Sequence, residues 1–333
     1  MQEFILINKE EVSSLLDMKT VIKAVEKAYT YKVKGEAELF PIVCHEFNGE
    51  DSEFDIKSGS VDGAGIFGMK LVSAFYGNDV YGLPRLAGTI LIFDRKTGML
   101  KGMMDGSLIT NMRTGAAGAV GVKYLARPDS RVLLILGTGA QAMPLLKATL
   151  EVMPGIRKII AANIHTPGRA EGFIQEAGKE LSDEVSYEAV SDISGLEDAV
   201  KRADIILTAT PSKEALIKAE WVRPGTHLSC IGSDMEGKQE LEESLVGAAR
   251  TFADDKAQVI AVGECEKAVK SGLKKPDDIT EIGDVILGRA AGRLKDDDIT
   301  IFDSTGIGLQ DLMTAAEIIP KAKEQNIGTI LKI

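Results

Sequence analysis

Three stretches of the 333-residue chain carry residue types suited to chemistry on a small charged ligand. The first is Gly137-Thr138-Gly139-Ala140-Gln141-Ala142, a G-x-G-x-x-A pattern. Gly137 permits a tight turn, Gly139 lets a phosphate approach the backbone, and Ala142 takes the helix-packing position often held by a third glycine. The second is Lys70, inside the otherwise apolar run Gly65-Ile-Phe-Gly-Met-Lys-Leu-Val-Ser73. An ammonium buried there needs an anion close by, although a lysine can also snorkel to the surface. The third is Arg113-Thr114, ahead of Gly-Ala-Ala-Gly-Ala-Val. These small residues suit a closely packed helix, and the pair is expected at its start, where a bound anion also meets the helix dipole. Arg113 can equally cap that helix or pair with an acid.

A chain with 34 glycines produces such patterns by chance, so the flanks decide. Arg131–Leu136 is an apolar, branched run that reads as a strand buried on both faces. Ala142, Leu145, Leu146, Ala148 and Leu150 then follow helical spacing. Strand, glycine turn and helix together present free N–H groups to a pyrophosphate. The other reading is a plain strand–helix corner that binds nothing.

Strands are expected at 131–136, 157–162, 204–209, 227–232, 250–253 and 299–302, alternating with helices. That is the pattern of an α/β fold with a Rossmann-type, doubly wound parallel sheet. Upstream, a strand over 4–8 leads into a helix from Lys9 continuing through Ala24, Val25 and Ala28. Residues 41–94 read as short strands of a mixed sheet, with turns at Asn48-Gly49, Asp62-Gly63 and Gly82-Leu83-Pro84. Residues 309–319 form an amphipathic helix that returns to the first domain. The expected division is 1–122 with 307–333 as an α+β substrate and dimerisation domain, and 123–306 as the dinucleotide domain. The charged stretches KKPDD and KDDD between 274 and 298 read as solvated turns.

Hydrophobic residues make up 44% and charged residues 27%, as in an ordinary globular protein. The 39 basic and 50 acidic residues leave a net charge of −11, which opposes nucleic acid or an anionic membrane as partner. No apolar run reaches spanning length, and the N-terminus has no signal-peptide layout. Cys44, Cys230 and Cys265 lack metal-ligand spacing, so the expected compartment is the reducing cytoplasm. His45, His165 and His227 stand far apart, and no metal site is expected.

Choice between NAD and NADP sits at the end of the second strand, where an acid holds the ribose 2′-hydroxyl. Here the chain reads Ile159-Ile-Ala-Ala-Asn163-Ile-His165-Thr-Pro-Gly-Arg169, with no Asp or Glu. Asn163 is neutral, and His165 and Arg169 can meet a 2′-phosphate, which favours NADP. Both are otherwise plain surface residues.

Several motifs in order resemble the ornithine cyclodeaminase/mu-crystallin family over nearly the whole chain. They are Gly68-Met-Lys70, Gly82-Leu-Pro84, Thr110-Asn-Met-Arg113-Thr-Gly-Ala-Ala, Gly137–Ala142, Thr208-Ala-Thr-Pro211, Gly232-Ser-Asp234-Met-Glu-Gly-Lys-Gln-Glu240-Leu and Phe302-Asp-Ser-Thr-Gly306. The resemblance implies a homodimer formed through the N-terminal domain, a nicotinamide cofactor, NAD(P), and chemistry at the α-carbon of a small amino or imino acid. It places Arg113 on the substrate carboxylate, Lys70 beside the carboxylate and reacting carbon, and Asp234 as proton-transfer partner. From the residues alone, Asp234 can also be a turn residue before Gly237. The resemblance adds Thr114, Thr208, Ala209, Thr210 and Ser304 to the cofactor contacts of the glycine turn.

Two departures bear on the substrate. Ornithine-cyclising members grip the distal amine with a glutamate thirteen positions before the lysine, and here that position is Lys57. Arg85 stands where a small hydroxyl residue is common, and Pro41-Ile-Val43 lacks an expected arginine, so Lys57 or Arg85 is a further candidate for carboxylate binding. These changes disfavour ornithine cyclisation and favour a neutral or acidic side chain. The expected activity is hydride transfer of the alanine dehydrogenase or ketimine reductase kind, or a cyclodeaminase-type deamination. A crystallin-like protein that only holds NADP or another ligand is the competing class.

Overall fold

The structure, a computed structural model, describes residues 3–47, 52–181 and 184–332. Strand β1 (Glu3–Ile7) ends at Asn8, whose side chain caps α1 (Lys9–Leu15) in a reciprocal pair with Glu11. The single helix expected from Lys9 to Ala28 is two. Asp17 accepts the Thr20 N–H and starts α2 (Met18–Val33), because a short acidic side chain that competes for backbone N–H groups favours a cap over a helix interior.

Six strands follow: β2 (Ala37–Leu39), β3 (Val43–Glu46), β4 (Ser52–Val61), β5 (Ile66–Phe75), β6 (Leu86–Asp94) and β7 (Leu100–Asp105). The expected turn at Asn48-Gly49 lies outside the described residues. Helix α3 (Ser107–Leu125) starts early, since the Asp105 carboxylate accepts the N–H groups of Ser107 and Leu108. Arg113 and Thr114 therefore lie well inside the helix, not at the positive end of its dipole as expected.

Downstream the chain alternates. It forms β8 (Val132–Leu136), α4 (Ala142–Val152), β9 (Lys158–Ala162), α5 (Arg169–Glu180), β10 (Ser186–Val190), α6 (Ile193–Arg202), β11 (Ile205–Thr208) and β12 (His227–Cys230). Then come α7 (Glu243–Ala248), β13 (Arg250–Ala253), α8 (Lys256–Val262), α9 (Cys265–Lys270), β14 (Ile279–Glu281), α10 (Ile282–Ile286) and β15 (Thr300–Asp303). Helix α11 (Gly308–Gln325) and β16 (Thr329–Lys332) complete the order. Strands β2, β7, β10, β14 and β16 lie outside the strand ranges expected from the sequence.

The chain divides into two compact units, residues 1–113 with 307–333 and residues 114–306. The boundary falls within α3, earlier than the expected 122.

In the first unit the sheet order is β16-β1-β7-β6-β5-β4-β2, with β3 paired to β4. It is antiparallel except for the parallel β1–β7 pair. Alternation along β5 turns Ile66, Gly68 and Lys70 inward, and Gly68 packs against Leu312 of α11. Helix α2 packs on α11, and its buried residues, among them Val21, Val25 and Ala28, are spaced at three and four. The opposite sheet face carries Met69, Leu71, Leu91 and the stacked rings of Phe67 and Phe93, all only half-buried.

In the second unit every strand pair is parallel, in the order β10-β9-β8-β11-β12-β15-β13-β14. From β8 the chain builds outward first through β9 and β10, then on the other side through β11 and β12. A dinucleotide lies across such a switch point, at the carboxyl ends of the strands. The small residues of α3 serve close packing. A side chain on Gly118 would come 2.5 Å from Leu145, and one on Gly121 equally close to Phe302. Among the described residues no helix is long and apolar enough to cross a membrane.

Candidate active site

In the first unit, three segments far apart in sequence converge on one buried acid. Lys70 on β5 is 2% exposed, Arg113 on α3 is 6% exposed, and Asp311 on α11 is fully buried. Lys70 Nζ and Arg113 Nε both donate to Asp311 Oδ1, each at 3.1 Å. Arg113 Nη1 donates to Gln310 Oε1 at 2.8 Å, and Gln310 in turn donates to the Tyr29 hydroxyl at 2.7 Å. The guanidinium is thus held on two edges, with its Nη2 free of any protein partner among the described residues. Asp311 Oδ2 is buried and has no hydrogen-bond partner among the described residues.

Electrostatics sharpen this cluster. Burial lowers the Lys70 pKa, the neighbouring Arg113 lowers it further, and Asp311 only partly offsets them, so it falls to about 7. Burial opposes the charged form of Asp311, but Arg113 and Lys70 outweigh it and hold its carboxyl below the usual range. Lys57 stands directly opposite Lys70 in the β4–β5 register and so shares its face. Its charge also pushes the Lys70 pKa down. Arg85 is not part of this group. It lies five register positions beyond Ile90, the partner of Lys70, which is about 17 Å along the strand. There it is exposed and paired with Asp79.

The second unit holds a cleft of about 290 Å³ at the carboxyl ends of β8, β9 and β11. Gly137, Thr138, Gly139, Asn163, His165, Arg169, Ala209 and Thr210 line it. Gly137 has φ of 101°, and a Cβ on it would sit 2.5 Å from the Ala209 carbonyl oxygen, so glycine is demanded by the protein itself. Gly139 differs: a Cβ there meets no protein atom within 4 Å. Its bareness leaves space in front of the α4 N-terminus, where Gln141 occupies the cap position. That space and those N–H groups fit a pyrophosphate.

Asn163 is engaged within the protein. Its amide donates to Thr138 Oγ1 at 2.9 Å, and its carbonyl accepts the N–H groups of His165 and Thr166. It shapes the rim, on which His165 and Arg169 stand exposed. Ala140, Gln141 and Ala142 build the helix start behind the turn. Thr114 is buried in α3. The Thr208 hydroxyl donates to Glu240, and Ser304 donates to the buried Asp254. Asp234 follows β12 with its side chain 44% exposed, 2.6 Å from Lys238 Nζ.

Sequence reasoning missed Asp311 and Gln310, which lie just past the last motif. The available signal was a carboxylate between Leu309 and Leu312, on the apolar stripe of a helix. It also left Glu240 without a role.

A family model described as the ornithine cyclodeaminase/mu-crystallin family matches residues 2–326. Three solved structures are similar along their whole length. An archaeal alanine dehydrogenase dimer with bound NAD is 34% identical, with a TM-score of 0.90 and 99% of each chain covered. The iminosuccinate reductase of Paracoccus denitrificans in complex with NAD+ is 32% identical, with a TM-score of 0.91 and full coverage of both chains. The Thermococcus litoralis Δ1-pyrroline-2-carboxylate reductase with NADH and L-proline is 31% identical at a TM-score of 0.90, covering 98% of this chain and 99% of that one. Buried cation pair, glycine turn and full-length match agree: the chain belongs to the ornithine cyclodeaminase/mu-crystallin family.

Proposed function

We propose that the protein is an NAD(P)-dependent oxidoreductase acting at the α-carbon of a small amino or imino acid. The observation that carries this is the buried Lys70–Asp311–Arg113 cluster, in a family whose solved members hold NAD and, in one case, L-proline. When bound, the cofactor supplies the hydride acceptor or donor. Arg113 offers its free Nη2 edge to the α-carboxylate, a geometry its planar fork suits. Lys70 lies beside it and, with a pKa near 7, can hold or release a proton around neutrality. The unpartnered Asp311 Oδ2 suits the N–H of a substrate amine or imine. Asp234, with an exposed carboxylate that can exchange Lys238 for water, is a second proton carrier in this reading.

Lys57 bears on specificity. A cation on the same face as Lys70 repels a second ammonium, which favours substrates with neutral or acidic side chains over ornithine. At the adenosine end, the exposed His165 and Arg169 and the absence of an acid after β9 favour a 2′-phosphate, hence NADP. The free thiols Cys44, Cys230 and Cys265 suit a reducing compartment such as the cytoplasm.

The experiment follows absorbance at the reduced-nicotinamide band. Amino acids are supplied with NAD+ or NADP+, and oxo acids with ammonia or small amines are supplied with NADH or NADPH. Turnover of a small neutral or acidic amino or imino acid, faster than ornithine and faster with the phosphorylated cofactor, is expected. Cofactor binding without any turnover across the panel would refute the enzyme reading.

A further inference from the structure

We infer that Glu240 is a positioning residue for the nicotinamide half of the cofactor cleft. A single buried carboxylate ties the loop after β11 to the loop after β12. The inference rests on the dinucleotide reading of the second unit. With the glycine turn after β8 taking the pyrophosphate and the end of β9 the adenosine side, the other half must run over β11 and β12. Glu240 lies beneath that stretch with no exposed surface.

Its side-chain hydrogen bonds go to the last residue of β11 and to the two loops. Oε1 accepts the Thr210 N–H at 2.6 Å, and Oε2 accepts the Thr208 hydroxyl at 2.6 Å and the Gly232 N–H at 3.1 Å. Its backbone carbonyl accepts the N–H groups of Leu216 and Ile217 at 2.8 and 3.0 Å. Thr210 and Leu216 both line the cleft. The loops meet so closely that a Cβ on Gly232 would strike the Thr210 backbone and stand 2.6 Å from Glu240 Oε2. From below, Glu264 accepts the N–H groups of Glu240 and Leu241 at 2.8 and 3.0 Å, which fixes the residue itself. No ion pair with Glu240 exists among the described residues. A buried acid without a cation is costly, so charge neutralisation does not explain it. What it holds is the loop after β11, whose Thr210 and Leu216 line the cleft, fastened to the loop after β12 through Gly232.

The test compares two ligands. ADP reaches only the adenosine half, whereas NADH or NADPH, whichever the wild type binds more tightly, spans the cleft. Both are titrated calorimetrically into wild type, Glu240→Gln and Glu240→Asp, with circular dichroism and thermal unfolding as fold controls. The glutamine turns an amide N–H toward a backbone N–H, and the aspartate is one methylene too short to serve both loops. Affinity for the reduced cofactor should fall about tenfold or more in each variant, with ADP affinity unchanged within about twofold. Should the glutamine variant not fold, the aspartate variant carries the comparison. Equal losses for both ligands, or unchanged cofactor affinity in a folded variant, would overturn the inference. A wild type that binds none of these ligands would overturn the dinucleotide reading, and this inference with it.

Discussion

Asp311 Oδ1 takes hydrogen bonds from two cations at once, and this sharing sets the behaviour of Lys70. With a folded pKa of about 7 against an ordinary 10.5, Lys70 binds fewer protons in the folded than in the unfolded chain between those values. Stability contributed by this group therefore rises as pH climbs from about 7 toward 10.5. Lys70→Met removes the titration while keeping length and apolar packing. The unfolding free energy of wild type relative to Lys70→Met, measured in urea, should improve by up to a few kcal/mol between pH 7 and pH 10. Parallel pH curves would show that the lysine is not depressed. In turnover, the same variant should lose a factor of about 10²–10⁴ in kcat/KM. Asp234→Asn, assayed alongside, reports which of the two side chains moves the proton.

At the scale of elements, the glycine turn between β8 and α4 separates two needs that look identical in the sequence. A Cβ at Gly139 meets no protein atom within 4 Å, so in Gly139→Val the thermal midpoint should hold while NAD(P)H binding, followed by fluorescence titration, is abolished. Gly137→Ala forces a positive φ on a residue with a side chain and presses it against Ala209, so it should cost about 1–3 kcal/mol of stability. A folded Gly139→Val protein with normal affinity would remove the phosphate-loop assignment. The β8–turn–α4 unit was legible because its signals are local: an apolar run, two glycines and helical spacing. Lys70 was half legible. Its apolar neighbours demanded an anion, but the anion comes from α11, and no local pattern links residues so far apart. The break between α1 and α2 was readable in Asp17, a capping residue in front of an amphipathic run. The early start of α3 at Ser107 depends on Asp105, which a reading centred on the small residues passed over.

For the molecule as a whole, the outer face of the first unit's sheet is the conspicuous surface. Met69, Leu71, Leu91 and the Phe67–Phe93 stack are too apolar and too contiguous to face water comfortably. We expect a homodimer through this face, with light scattering giving about twice the 35.7 kDa chain mass. Leu71→Lys should shift it toward monomer without unfolding. A wild type that is monomeric at micromolar concentration would sink the assignment.

The division of the chain also fixes an order of events during synthesis. Residues 114–306 form one continuous unit, so all of its segments have been made once residue 306 is added. The unit begun first cannot close then, because α11 and β16 come from its last-made segment. Until Ile307 and the residues after it emerge, β1 lacks its antiparallel neighbour, and Lys70 and Arg113 lack their shared carboxylate. The half of the protein proposed to hold substrate is therefore started first and finished last, completed only after the half proposed to hold cofactor has had time to fold.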